Sequence, residues 1–233
     1  MLKNIGSIAL RIVLVFIAVS LFSVIAFRWI PIPVTPLMLL RCGQQWLHHE
    51  PLCLYKSWRT IENISPSLPL AVVAAEDQNY LDHFGFDTKA IQEAVKYNEH
   101  HKKKRGASTI SQQTAKNVFL YPSRSYLRKG LEVYFTFLIE VFWSKERIME
   151  VYLNVIEMGK GVYGAEAAAQ TYYNKSAKNL NAAQCAAIAS ILPNPINYKL
   201  VRPSMHVLQR QQWILRQMQN IGGALEWEKS AKK

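Results

Sequence analysis

Cysteine is scarce. The 233-residue chain holds three, Cys42, Cys53 and Cys185. Their spacing matches no zinc pattern, and three thiols leave room for one disulfide at most. Cys42 and Cys53 are the pair an oxidising compartment could join; Cys185, inside Ala182-Ala183-Gln184-Cys185-Ala186-Ala187, reads as a small buried apolar residue. Acids are also few, 16 Asp and Glu against 28 Lys and Arg, for a formal charge of +12. That balance favours an anionic partner: nucleic acid, an anionic membrane surface or a phosphorylated substrate. Internal repeats are absent, and so is any run of alternating apolar and polar residues. The class read from pattern is therefore mainly α.

Long apolar runs are limited to one. Ile12 to Phe27 is an uncharged stretch flanked by Arg11 and Arg28. At 1.5 Å per residue its 16 residues span roughly 24 Å, short of a ~30 Å hydrocarbon core. Snorkelling arginines extend the usable helix towards Ile8 and Ile30. Trp29 stands where an interfacial aromatic belongs. A cleaved signal peptide is the rival, but Arg28-Trp29 and further apolar sequence follow the run where a small-residue cleavage site would be needed. Lys3, Arg11 and the amino terminus favour an N-inside anchor with the remainder exported, which leaves nucleic acid out as a partner.

The expected organisation is a cytoplasmic tip and transmembrane anchor over 1–30, a membrane-proximal linker over 31–64, a domain over 65–222 and a polar tail over 223–233. Pro31, Pro33, Pro36 and Pro51 punctuate the linker, which is read as no part of the core; its apolar part from Trp29 to Leu40 is expected to lie partly in the outer leaflet. Leu70 to Ala75 opens the domain as an apolar helix ending in Glu76. A second helix, Thr88 to Asn98, is expected to turn Ala90, Ile91, Ala94 and Val95 inward. A basic loop, His100 to Gly106, follows. Thr109 and Gln112 have capping-box spacing for a helix to Phe119. Ser125 to Trp143 carries an apolar stripe of Leu127, Leu131, Tyr134, Phe135, Leu138 and Phe142. Ser144 caps the next helix. Helices near 162–173 and 181–191 precede a last one from Ser204, with Gly222 as its terminator.

Three clusters carry chemistry. Glu76-Asp77, followed by His83 and Asp87, puts an acid just after an apolar run, where desolvation raises its pKa and makes it a usable base; an ordinary acidic helix end is the plain alternative. Arg105-Gly106-Ala107-Ser108-Thr109-Ile110-Ser111-Gln112-Gln113, then Lys116, offers free backbone N–H groups, hydroxyls and cations for an anion; a simple N-cap is the alternative. Arg128-Lys129-Gly130-Leu131-Glu132 is either a surface ion-pair set worth about 0.2–0.5 kcal/mol per pair or two cations and a carboxylate aimed at a phosphate. Together the clusters suggest glycosyl transfer from a lipid pyrophosphate.

These residues resemble glycosyltransferase family 51. Glu76 to Asp87 looks like its first motif, Arg105 to Gln113 its second, Arg128 to Glu132 its third, Lys145 to Asn154 its fourth and Ala187 to Pro195 its fifth, all in order. Tyr80 stands where Phe is usual and Met149 where Leu is usual. The resemblance implies a lysozyme-like, mainly helical, two-lobed fold behind one N-terminal transmembrane helix. It implies polymerisation of lipid II into β-1,4-linked glycan strands with inversion and release of undecaprenyl pyrophosphate. With about 233 residues, no transpeptidase domain is expected. Glu76 would be the general base and Glu132 the second acid. Arg105, Lys116, Arg128 and Lys129 would bind pyrophosphate, and Asp77, Ser108, Thr109, Gln112 and Gln113 would line or brace the cleft. No cofactor is obligatory; a divalent cation, Mg or Mn, is compatible with the pyrophosphate, though no dedicated metal cage is seen. Asn154 and His83 read as structural. The implied partners are lipid II, the growing glycan chain, anionic membrane lipid and cell-wall synthesis proteins; the implied place is the inner membrane, single-pass, with the domain on the periplasmic side. Two rivals remain: a glycan-cleaving hydrolase, which has no pyrophosphate to hold, and a non-catalytic membrane-tethered scaffold.

Overall fold

The computed structural model describes residues 2–101, 104–123, 125–223 and 225–227. Lys102 and Lys103 of the basic loop and the tail beyond Trp227, Glu228 included, lie outside them. The described residues form ten α-helices: α1 (Leu2–Phe27), α2 (Pro36–Leu47), α3 (Ser67–Glu76), α4 (Thr88–His100), α5 (Ile110–Phe119), α6 (Tyr126–Phe142), α7 (Lys145–Val155), α8 (Ala165–Tyr173), α9 (Ala182–Ile191) and α10 (Met205–Ile221). Three short strands that pattern alone did not reveal, β1 (Tyr55–Lys56), β2 (Glu157–Gly159) and β3 (Val162–Tyr163), pair in the order β1-β3-β2. Runs of two or three residues are too short to show an alternation.

The core is built around α3. Leu68, Leu70, Ala71, Val72, Val73 and Ala74 are all buried, and α9 and α10 pack against the helix. A helix apolar on every side is a central one. Its last residue, Glu76, is thereby carried from the core to a half-buried position at the helix end. α5 lies between α6 and α7. Its start is the predicted capping box: Thr109 Oγ1 accepts from the Gln112 N–H, and Gln112 Oε1 accepts from the Thr109 N–H. Ser125, Ser144, Asn181 and Ser204 cap α6, α7, α9 and α10, and Gly222 ends α10 in the left-handed region.

Two expected faces differ. On α4 only Ala94 is buried, and Ile91 and Val95 are exposed. On α6 the stripe holds for Phe135 and Leu138, whereas Leu127 is exposed near the helix start.

The stretch 31–64 is more than a tether. Ile32 and Met38 are fully buried in the core. Pro36, which reads as a breaker, occupies the first turn of α2 with Thr35 as its cap, the place where proline's missing N–H costs nothing. β1 joins the sheet. Asn154 then clamps the chain: Oδ1 accepts from the Arg59 N–H at 2.8 Å and Nδ2 donates to the Arg59 carbonyl at 2.8 Å. Glu150 accepts from the Ile61 N–H at 2.9 Å. Asn154 is thus the cross-brace its type suggests.

α1 contains one span, Ser7–Phe27, long and apolar enough to cross a membrane. Its C-terminal half is fastened to the domain. Ser20 Oγ lies 2.6 Å from the Tyr134 hydroxyl, and Trp143 Nε1 donates to the Val24 carbonyl at 2.7 Å. Arg147 donates to the carbonyls of Phe27 and Ile30, both at 2.8 Å. A cation on the last carbonyls of a helix satisfies orphaned acceptors and complements the dipole. Cys42, Cys53 and Cys185 are free thiols, Cys185 buried.

Candidate active site

Glu76 sits at the C-terminus of α3 with its side chain 14% exposed. Burial pushes its carboxyl above the ordinary carboxylate range, against the pull of two donors. Gln113 Nε2, on α5, donates to Oε2 at 3.1 Å, and Arg210 Nη2, on α10, donates to Oε1 at 3.3 Å. The Gln113 amide is itself oriented, because its Oε1 accepts from the Tyr152 hydroxyl at 3.3 Å. Burial raises the Tyr152 phenol well above its usual value, so it remains a donor. The acid is therefore held from both sides, desolvated enough to gain basicity, and still partly open.

Gln113 and Lys116 are one turn apart on α5, on the same face. Lys116 leads from Glu76 to the second acid. Burial lowers its ammonium pKa, the carboxylates of Glu132 and Glu76 raise it, and Arg128 and Lys129 lower it. Lys116 thus lies within electrostatic reach of both acids and both α6 cations. On α6, Glu132 is buried and accepts from Arg128 Nη1 at 2.6 Å and Lys129 Nζ at 2.5 Å. The cations cover the carboxylate; the Lys129 side chain is 47% exposed, whereas that of Arg128 is 19% exposed and its Nε is buried with no hydrogen-bond partner among the described residues. Such a cluster can accept a diphosphate, with Arg as fork and Lys as point charge.

Other expected site residues have different positions. Asp77 is buried, accepting from the Ile110 N–H at 3.0 Å and pairing with His83 Nε2 at 2.9 Å. Thr109 donates to the Gly85 carbonyl at 2.7 Å besides capping α5. Asp77, Thr109 and Gln112 brace the start of α5, Asp77 through the Ile110 N–H and Thr109 and Gln112 through the capping box. Arg105 and Ser108 are exposed in the α4–α5 loop. Arg105 is tied to α4 through its backbone, both ways, by Asn98. Among the described residues no group of three or more His, Cys, Asp or Glu is placed to hold a metal ion.

Arg210 has no motif around it and was missed. A signal exists: α10 turns Val207, Ile214 and Met218 inward, and position 210 falls on that inward side, three residues after Val207. A charge in an apolar stripe needs a partner. Here the partners are the Glu76 carboxylate and the Ala75 carbonyl, the latter at 3.3 Å.

A helical domain with one partly buried acid and a separate acid under two cations has the groups that acid–base chemistry on a phosphorylated substrate requires. Residues 50–219 match the Transglycosylase family model, and the chain belongs to that family. It is 53% identical to a biosynthetic peptidoglycan transglycosylase of Bacteroides thetaiotaomicron over 93% of this chain and 88% of that protein. It is 54% identical to one of Bdellovibrio bacteriovorus, over 88% of this chain and 82% of that protein. A Pseudomonas putida protein of the same name is 52% identical, over 91% and 90%.

Proposed function

We propose that the protein is a peptidoglycan glycosyltransferase that polymerises lipid II into β-1,4-linked glycan strands, releasing undecaprenyl pyrophosphate. Family membership and the relatives' shared name support the activity. The observation that carries the assignment of roles is the pairing of Glu76 with Gln113 and Arg210 on one side of Lys116, and the Arg128–Lys129–Glu132 cluster on the other.

In this reading Glu76 takes the proton of the acceptor's 4-hydroxyl. The oxygen attacks the anomeric carbon of the donor strand from the face opposite the leaving group, so configuration inverts. The bond to pyrophosphate breaks and its electrons go to the leaving oxygen. Lys116, Arg128 and Lys129 stabilise the charge that builds there; fixed cations act best where charge develops, because they need no reorganisation. Glu132 holds Arg128 and Lys129 in position through its two ion pairs. Cleavage of a glycan has no diphosphate to hold, so the cations favour the transferase over the hydrolase. α1 anchors the chain in the inner membrane in a single pass, N-terminus inside, with the domain on the periplasmic face beside its lipid-borne substrate.

The test is Glu76→Gln, with labelled lipid II. A positioned base is worth about 10²–10⁴-fold, so the variant should bind lipid II with wild-type affinity and polymerise at least about 100-fold more slowly. Muramidase should convert the wild-type product to disaccharide. Polymerisation by the variant within a few-fold of wild type would remove Glu76 from the role of base.

A further inference from the structure

Beside Glu76 lies a hollow of about 300 Å³, lined by His206, Gln209, Arg210 and Trp213, all on α10. The four are spaced i, i+3, i+4 and i+7, so at about 100° per residue they form one stripe. It runs alongside the buried stripe of Val207, Ile214 and Met218 that packs α10 into the domain. Its register against the end of α3 is fixed at two levels. Arg210 donates to Glu76 Oε1 and to the Ala75 carbonyl. Two turns on, Gln217 Oε1 accepts from Gln78 Nε2 at 3.5 Å. At the other end the His206 ring meets the Tyr198 ring, centroids 5.5 Å apart. Trp213 remains 38% exposed.

Of the four lining residues only Arg210 carries a fixed charge, and its guanidinium is committed to Glu76. The hollow therefore suits an uncharged ligand with one apolar face and a polar edge. An indole supplies a flat apolar surface. The Gln209 amide both donates and accepts, and a neutral imidazole at His206 does the same. A β-linked pyranose is a ligand of this kind: its axial C–H bonds make one face apolar, and its hydroxyl and N-acetyl groups ring the edge. The volume stands at the lower end of the roughly 300–1,000 Å³ of ligand sites, room for a sugar ring and not for a strand.

The two oxygens of Glu76 tell which sugar it is. Oε2 accepts from Gln113, whose helix also carries Lys116; Oε1 accepts from Arg210, whose helix carries the hollow. In an in-line displacement the attacking sugar and the leaving diphosphate stand on opposite sides of the anomeric carbon. Lys116, Arg128 and Lys129 take the diphosphate side, which leaves the α10 side to the attacking sugar. Trp213 is one turn from the residue that touches Glu76, about 5–6 Å between Cβ atoms, close to the width of a pyranose ring.

We propose that His206, Gln209 and Trp213 form the subsite for the acceptor sugar. The N-acetylhexosamine whose 4-hydroxyl meets Glu76 lays its C–H face on Trp213 and turns its polar edge to Gln209 and His206. The role as acceptor rests on the polymerase reading above; the saccharide surface itself does not.

Two measurements on the full-length protein in detergent test this. The first needs no turnover. Titration with chitotetraose, a β-1,4-linked N-acetylglucosamine tetramer, should shift the tryptophan fluorescence of wild type and of Glu76→Gln, and the shift should vanish in Trp213→Phe. No shift in wild type, or one that persists in Trp213→Phe, overturns the proposal. The second is extension of preformed strands by lipid II. Trp213→Ala should raise KM for lipid II about tenfold and leave kcat within about threefold, the mark of binding lost equally from ground and transition states. Trp213→Tyr should recover most of the loss, and Gln212→Ala, exposed outside the stripe, should match wild type. Strands made by Trp213→Ala should be short at low lipid II and return to wild-type length at saturation. Shortening that saturation does not cure would put the growing strand at Trp213 and overturn the acceptor assignment. So would a fall in kcat at unchanged KM with a lowered melting temperature, which is a purely structural role. If wild type fails to polymerise while the fluorescence shift and its loss in Trp213→Phe remain, the polymerase reading fails and the saccharide surface stands.

Discussion

Removing the Arg210 side chain should move the acid limb of the reaction and little else. The guanidinium donates to Glu76 Oε1 at 3.3 Å and to the Ala75 carbonyl through the same nitrogen. It is one of two groups that hold the Glu76 pKa down against burial. Its loss should therefore raise the Glu76 pKa further, and because Arg210 is 28% exposed and its bond is long, solvent screens part of that effect. The sign follows from the chemistry. Glu76 works as a carboxylate, so a higher pKa means less active base at each pH below the new value. In Arg210→Ala, kcat/KM for lipid II polymerisation should therefore rise at higher pH than in wild type, then reach nearly the same alkaline plateau. Arg210→Lys keeps the charge without the fork and should fall between. Salt should shrink the difference. The measurement is kcat/KM against pH at constant ionic strength, with far-UV dichroism as the control for α10. If the acid limb stays where it is, or moves to lower pH, Arg210 does not govern the ionisation of Glu76. If the limb stays and the plateau falls tenfold, the guanidinium acts on the substrate.

Three further outcomes follow from the same geometry. Asp77→Asn should lower the melting temperature, because the buried carboxylate loses its charge while the Ile110 N–H and His83 still face it; KM for lipid II should stay within about twofold at temperatures where the variant is folded, and a tenfold rise in KM would restore Asp77 to substrate binding. Lys116→Met keeps the bulk and removes the charge between the two acids; kcat/KM should fall about 10–100-fold, the scale of about 1.4–2.7 kcal/mol of lost transition-state stabilisation, and an unchanged value would exclude Lys116 from the leaving-group site. Gly164→Ala should unfold early: its φ is +83°, and a Cβ would stand 2.8 Å from the Asn154 carbonyl oxygen. About 3 kcal/mol is expected from strain in a glycine-only region and the clash, which in a chain of this size lowers Tm by roughly 6–12 °C; calorimetry reads it.

How far the sequence discloses the fold depends on whether a feature is local. The capping box at Thr109 and Gln112, the cap at Ser144 and the glycine stop at 222 all stand where expected, because each is a contact between residues at most four apart. Asn154 was legible in kind but not in target, since the backbone it clamps is 95 positions away. The segment 31–64 misled for a related reason. Its prolines are strong local punctuation, and nothing nearby shows that Ile32, Met38 and β1 find partners in a core built by distant helices. The site divides in the same way. Glu76, Gln113, Lys116, Arg128, Lys129 and Glu132 stand on the three helices α3, α5 and α6; five of them lie within the motifs and Lys116 just beyond the second. Asp77, Thr109 and Gln112 share those motifs, yet they brace the start of α5, with Asp77 also bound to His83 and Thr109 to the Gly85 carbonyl, a distinction that spacing cannot express. Arg210 lies 134 positions from its partner and outside every motif. Its burden in the apolar stripe of α10 was the only trace. The proposed base is therefore a motif residue whose pKa, raised by burial, is held back by Gln113 and by Arg210, a residue the motifs omit. For that reason the pH profile of Arg210→Ala tests the site more severely than the loss of Glu76 alone: loss of the carboxylate is expected of any catalytic acid, whereas a displaced acid limb requires this particular pairing of α3 with α10.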